Sequence, residues 1–400
     1  MATSPWHSFS TFFSKLRNYA TQSSNHLIRG RRLRVLVFII SYPTYSETYM
    51  HEEIRSLLGE YDIQIITYRA SPYPRNQAFP HKVIEYKDSC LVYGPIKNVN
   101  REFNSQTQQE FIREVDAVIK EFKPDVMHAH YFGMVLLLQF LAERHKIPFT
   151  IRTHSMDILS EPQEKIDTMC DAANSPWCQR VLAFPAFRNY LAESGLQSEK
   201  VVSCWPVTNF ARFFKPGRRA PTGRVLCAGP AILKKAHADF IDLAVRMRGS
   251  GLTFDLYTKG PHLATTLAYN EKAGNPARII YTDPDEMPDV YPNYDWFVYP
   301  SDSTINKVGF PAAIAEAQAS GLGVCWQELP GRCDEQLEFL GGGGYLFQSI
   351  DELPGIITKP YPDEMRQDGL INAKKCDIEQ HKVLLTEAWE NAIREMTHVL

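Results

Sequence analysis

From Val35 to Phe347 the chain twice repeats one pattern: a short apolar run, a polar turn, and a stretch of helical periodicity. Runs that are apolar throughout, rather than at alternate positions, suit strands buried on both faces, as in a parallel sheet covered by helices. The first round predicts strands at Val35–Ile40, Ile63–Thr67, Val83–Tyr86, Val126–His130, Phe149–Thr153, Val181–Phe184 and Val201–Trp205. Helices are predicted at Glu47–Leu58, Gln108–Glu121, Gly133–Arg144 and Phe187–Ser194. The second round predicts strands at Val225–Ala228, Thr253–Tyr257, Arg278–Tyr281, Asp295–Tyr299, Gly323–Trp326 and Gly344–Phe347, then a long closing helix, Glu379–Met396. Between the rounds the segment 207–224 turns basic and contains Pro216, Gly217, Pro221 and Gly223, which reads as a linker. The expected architecture is α/β: two doubly wound Rossmann-like domains, 34–206 and 225–378, with residues 379–400 closing the chain. Such domains hold ligands in a cleft beyond the carboxyl ends of their strands.

Bulk properties narrow the function. Four hundred residues suit two domains of ordinary size. A net charge of −3 offers no broad cationic field, so a general nucleic-acid binder is excluded. The eight cysteines are scattered, form no C-x-x-C pair and have no zinc-site spacing; they read as free thiols in a reducing, cytoplasmic compartment. No apolar run approaches the roughly 20 residues that span a bilayer. Residues 1–33 contain no acidic residue, and Trp6, Phe9, Phe13, Leu16 and Tyr19 recur at helical spacing beside basic residues. This basic amphipathic segment reads as a solvated tail, a peripheral membrane-surface anchor or a transit sequence.

The candidate chemistry lies at strand ends. Val308–Gly321 follows one predicted strand and precedes another. Gly309, Phe310 and Pro311 stand where its helix should begin: glycine admits close backbone approach and proline suits the first helical position. A helix start presents N–H groups to an anion such as a diphosphate. Glu316, about one and a half turns inside, either binds vicinal hydroxyls such as those of a ribose or stands on a solvated face. Ser46 is a candidate N-cap with Glu47 in the first turn behind it. His128 and His130 point the same way from one strand, but no partner cluster for a metal is evident. Thr153-His154-Ser155-Met156-Asp157 ends the next strand, and Lys234 and Lys235 follow Gly229 and Pro230 at the start of the second round. Asp283 and Asp285 have the spacing of a metal–diphosphate site. However, Asp283 as N-cap, Pro284 as first helical residue and Glu286 closing a capping box account for the segment, so no essential metal is expected.

In their order and spacing these segments resemble glycosyltransferase family 4, the retaining, nucleotide-sugar-dependent enzymes with two Rossmann-like domains (the GT-B type). They lie nearest that family's exopolysaccharide and colanic-acid branch. The resemblance implies a ribose contact for Glu316, and places Gly309, Phe310 and Pro311 at the donor. It implies that His130 faces the reacting sugar and that Lys235, with Lys234 beside it, neutralises the departing diphosphate. Ser46, Glu47, His154 and Asp157 would lie on the acceptor side. The implied reaction moves a hexose from a nucleotide-diphosphate sugar to a glycan or lipid-linked acceptor, in surface polysaccharide or glycoconjugate synthesis. Same-face substitution would retain configuration, with the leaving phosphate helping to deprotonate the acceptor.

Two positions depart from the pattern. Val308 stands where the family has a sugar-binding glutamate, and Pro230 where it has a phosphate-binding arginine. One reading is therefore a degenerate partner of an active transferase, or a glycan-binding protein. Another is an enzyme for a less polar, 6-deoxy donor sugar, which Val308 would suit. Retention of Lys235, Glu316 and His130 favours an enzyme.

Overall fold

The strand-like runs of the first round assemble into a seven-stranded parallel sheet: β1 Arg34–Ser41, β2 Asp62–Arg69, β3 His81–Val83, β4 Val126–His130, β5 Phe149–Arg152, β6 Cys178–Ala183 and β7 Val201–Ser203, in the order β3-β2-β1-β4-β5-β6-β7. Val35 to Ile40 are buried without interruption, as a strand covered on both faces requires. The second round forms a six-stranded parallel sheet: β8 Arg224–Ala228, β9 Thr253–Tyr257, β10 Arg278–Ile280, β11 Trp296–Tyr299, β12 Gly323–Gln327 and β13 Tyr345–Phe347, in the order β10-β9-β8-β11-β12-β13. In each sheet the first strand lies between strands reached by crossings in opposite directions, which creates a switch point. This computed structural model describes residues 27–28, 31–72, 74, 78–85, 106–215, 220–302, 304–305 and 309–397. Most of the N-terminal segment 1–33, together with Tyr86, Cys90, Pro216, Gly217, Lys307 and Val308, lies outside them.

Several local expectations need correction. The edge strand β3 spans His81–Val83 rather than Val83–Tyr86, although Ile84 N–H still donates to Thr67 O at 2.8 Å. The helix after β1 is α1, Thr48–Leu57; its N-cap is Glu47, whose side chain makes no cap hydrogen bond, and Ser46 is exposed before it. Tertiary contact decides this, because Tyr131 takes the Glu47 carboxylate. Among the described residues of the predicted first domain, 34–206, two α-helices escaped the sequence reading: α2, Ser155–Leu159, and Gln163–Ala173. In the latter, Ile166, Met169, Cys170 and Ala173 are buried at helical spacing, a signal present in the sequence. Asp283 caps its turn through Asp285 N–H at 3.0 Å, but Glu286 closes no box and instead meets the Thr282 hydroxyl.

The domains touch through side chains as well as through the two chain crossings. Where the crossings meet, Thr208 pairs with Asp377 as an isolated parallel bridge. Asp285 receives Arg55 of α1 at 2.9 Å and Arg212 at 3.2 Å, and Arg212 also meets Glu52 at 2.8 Å. The closing helix α4, Ile378–Thr397, lies against the first domain, where Trp389 Nε1 donates to Thr150 Oγ1 at 3.1 Å. Among the described residues no helix is long and apolar enough to cross a membrane.

Candidate active site

At the facing carboxyl ends of the two sheets lies a cavity of about 610 Å³, lined by both domains. Its second-domain wall begins where β8 ends. Gly229 has φ +153°, a conformation that favours glycine, and turns the chain toward the loop carrying Lys234 and Lys235. Lys235 Nζ sits 4.2 Å from the centre of the Tyr299 ring. Burial, and secondarily the charge of Lys234, pulls the Lys235 ammonium down to about 7. Lys234 reaches toward the first domain, with Nζ 3.8 Å from Met156 Sδ. Pro230 also lines the cavity.

The helix expected after Val308 is α3, Ala312–Ala319, with Pro311 at its N-cap rather than at its first helical position. Its start faces the cavity through Ala312 and Ala313. Glu316, on the cavity wall, accepts a hydrogen bond from the Tyr291 hydroxyl at 3.1 Å. Phe310 anchors the preceding loop among Phe184, Trp205 and Phe339, with ring centres 5.2–5.7 Å apart.

Gly309 is required sterically. A Cβ there would fall 1.2 Å from Ser155 Oγ and 2.0 Å from Ser155 Cβ, at the first turn of α2. The loop before α3 therefore closes directly onto the first domain. Gly309→Ala is expected to weaken binding of a ligand held by both walls by about tenfold or more, roughly 1.4 kcal/mol, by prising the walls apart. Adding Ser155→Gly, which removes both clashing atoms, should recover most of that loss in calorimetric titrations. Equal losses in the single and double variants would show that the contact does not set cleft closure.

The first-domain wall carries Ser46, Glu47, Tyr49, Arg69, Tyr131 and His154. Tyr131 has φ +78° and ψ +127°, an unusual backbone for an aromatic residue that costs about 1–3 kcal/mol. The neighbours hold it: Tyr131 N–H donates to Arg152 O at 2.8 Å, and Phe132 N–H donates to Asp157. The result aims the Tyr131 hydroxyl at Glu47 Oε1, with the Tyr49 hydroxyl 3.4 Å behind it. Burial raises the Glu47 carboxyl above its ordinary range, partly offset by Tyr131 and Thr44, and then by the charges of Arg69 and Lys234.

Two expected site residues stay away from the cavity. His130 is fully buried one layer behind His154, with the rings 5.4 Å apart and Nδ1 at 3.2 Å from His154 Nε2. The expectation that it faces a sugar is not met; His154 occupies the wall in its place. Asp157 is also buried, its carboxylate spent on the N–H groups of Phe132 and His154, so it positions the loop that carries Tyr131. Despite those bonds, burial pushes the Asp157 carboxyl up to about 8.

Behind this wall Glu53 forms a hub that sequence reasoning missed. Its Oε1 lies 3.0 Å from His130 Nε2 and 3.6 Å from His128 Nε2, while Oε2 meets Arg152 at 3.0 Å and His381 of α4 at 2.6 Å. Glu53, His128 and His130 thus bring ligand-type atoms within 4.8 Å of one another, a cluster not foreseen around the histidine pair. The Arg152 cation already balances that carboxylate, which makes the group an ionic network. A signal did exist: Glu53 shares the helix face of Met50, Ile54 and Leu57, where a charge needs a buried partner. Asp285, one of the D-x-D pair, is likewise held by Arg55 and Arg212.

A sequence profile of the glycosyl transferase 4-like family matches residues 39–175. No curated protein matches the sequence. HepE of Anabaena, solved with UDP and glucose, superposes with a TM-score of 0.67 at 14% identity, covering 90% of this chain and all of its own. Sucrose-phosphate synthase of Thermosynechococcus elongatus gives 0.65 at 13% identity over 90% of this chain and 99% of its own. A glycosyltransferase of Rickettsia africae gives 0.59 at 13% identity over 90% and 98%. Residues 39–175 are thus similar to the glycosyl transferase 4-like family, and the chain has the two-domain GT-B fold.

Proposed function

We propose that this chain, glycosyltransferase 4-like over residues 39–175 and GT-B in fold, transfers a sugar from a nucleotide-diphosphate sugar to a glycan or lipid-linked acceptor, with retention, in surface polysaccharide or glycoconjugate synthesis. One observation carries the reading. A single interdomain cavity sets a lysine and a helix start, both suited to a diphosphate, beside a carboxylate suited to a ribose, and faces them with a polar wall from the other domain. The fold relative HepE binds UDP and UDP-glucose, which makes uridine the first base to test.

In this reading the nucleotide lies along the second domain, its ribose hydroxyls on Glu316 and its diphosphate between Lys235 and the start of α3. As the bond from anomeric carbon to phosphate oxygen lengthens, negative charge grows on the diphosphate, where the lysine and the helix N–H groups meet it. The acceptor enters against Ser46, Glu47 and His154, and the closed cleft aligns its hydroxyl with the anomeric carbon. Metal independence belongs to the same proposal, since Lys235 and the helix start supply positive charge for the leaving group.

Thermal unfolding with UDP, GDP, ADP, TDP and CMP and their sugar conjugates tests the donor site. One nucleotide at about 100 times its dissociation constant should stabilise the protein by about 2.7 kcal/mol. Glu316→Ala should abolish the shift. A shift that survives in Glu316→Ala would remove the ribose assignment. No shift with any nucleotide would return the chain to the reading of a degenerate partner or glycan-binding protein.

A further inference from the structure

The geometry points to Glu47, held by Tyr131, as the group that takes the proton from the acceptor hydroxyl; this rests on the transferase reading above and deepens it. Only two carboxylates line the cavity among the described residues, Glu47 and Glu316. Glu316 belongs to the second-domain wall and is engaged by Tyr291, on the side assigned to the nucleotide. Glu47 stands on the opposite wall, beside His154 and Ser46, where an acceptor must enter. It is the N-cap residue of α1, yet its side chain caps nothing, so the helix does not account for where the carboxylate points.

What accounts for it is Tyr131. A residue with φ +78° is held by Arg152 O and by its neighbour's bond to Asp157, and this conformation directs its hydroxyl onto Glu47. The Tyr49 hydroxyl, 3.4 Å from that of Tyr131, extends the pair. An unfavourable backbone maintained by several bonds, ending in a phenol–carboxyl contact on a cavity wall, is the arrangement expected of a positioned acid–base group. Arg69 and Lys234 act on the carboxyl from farther away, and both favour its ionised form.

The step balances without an added reagent. The acceptor oxygen forms a bond to the anomeric carbon while its proton passes to the Glu47 carboxylate. The bond from that carbon to the phosphate oxygen breaks, and its electron pair leaves with the nucleoside diphosphate toward Lys235. The proton then returns to solvent when products depart. This differs from the route implied by family resemblance, in which the leaving phosphate itself takes the proton.

The test is transfer kinetics of the full chain with the nucleotide sugar identified by thermal shift, comparing wild type, Glu47→Gln and Tyr131→Phe. Glu47→Gln is expected to keep the nucleotide-induced shift while kcat falls about 10²–10⁴-fold. In wild type, kcat should rise with pH through the raised Glu47 titration and then level; that acid limb should vanish in Glu47→Gln. Tyr131→Phe removes a bond that favours the ionised carboxylate, so its limb should move to higher pH. If Glu47→Gln does not fold, the displacement in Tyr131→Phe decides alone. Transfer within threefold of wild type in Glu47→Gln, an unchanged limb in that variant, or an unmoved limb in Tyr131→Phe would overturn the assignment in favour of the leaving phosphate. Absence of transfer by wild type with every conjugate would overturn the transferase reading together with this one, whereas wild-type transfer undiminished by Glu47→Gln overturns this one alone.

Discussion

Lys235→Ala is expected to lower sugar transfer by about 10²–10³-fold, the usual cost of removing one group that meets charge developing in a transition state. Its ammonium is pulled to about 7 by burial and by Lys234, and it sits over Tyr299 with no carboxylate paired to it among the described residues. A bound diphosphate supplies that missing anion, so binding should restore the charged form and take up a proton near neutral pH. The sign is fixed by the group: a lysine is cationic below its pKa, so nucleotide affinity should be high below pH 7 and fall as pH rises through it. Calorimetry of UDP binding in buffers of different ionisation enthalpy reads the proton uptake directly. Lys235→Ala should bind more weakly and lose that pH dependence. A dependence that persists in the variant would place the titrating group elsewhere.

The largest effect on stability is expected at Glu53. Four groups converge on its buried carboxylate: His128, His130, Arg152 and His381. Glu53→Ala leaves Arg152 buried and uncompensated, and should cost about 3–5 kcal/mol in urea unfolding. Glu53→Leu combined with Arg152→Met should cost less than the sum of the two single changes, because the stranded charge is gone. Strict additivity would mean that the pair is not coupled.

The same hub predicts acid sensitivity. Burial lowers His128 and His381 to about 4, and His154 well below its ordinary value. Each folded-state value lies below the unfolded one of about 6.5, so the unfolded chain binds more protons in that window. Their contribution is present above pH 6.5 and is lost as pH falls toward 4. Burial alone would raise Glu53, but His130, His381 and His128 bring it well below the carboxylate range, so its own contribution disappears only at lower pH. A flat stability profile from pH 7 to 4 would contradict this picture.

The α/β class, the order of the strands along the chain and the existence of a cleft were legible in the sequence, because wholly apolar runs and helical periodicity are local properties that survive without knowledge of contacts. Val126–His130 and Thr253–Tyr257 were read to the residue for this reason. That Lys235, Gly309 and Glu316 would line the cleft was also legible, since each follows a strand and strand ends of such sheets face the cleft. The first-domain wall was not. His130 ends one strand and His154 closely follows the next, yet only packing decides which ring stands in front. Asp157 looked like a wall residue until the N–H groups it satisfies were seen. Glu53 meets Arg152 across 99 positions, and Arg152 meets His381 across 229. No local pattern can encode those distances; they exist only because the sheet and the closing helix bring remote segments together, where a buried charge must find its partner in space rather than in sequence.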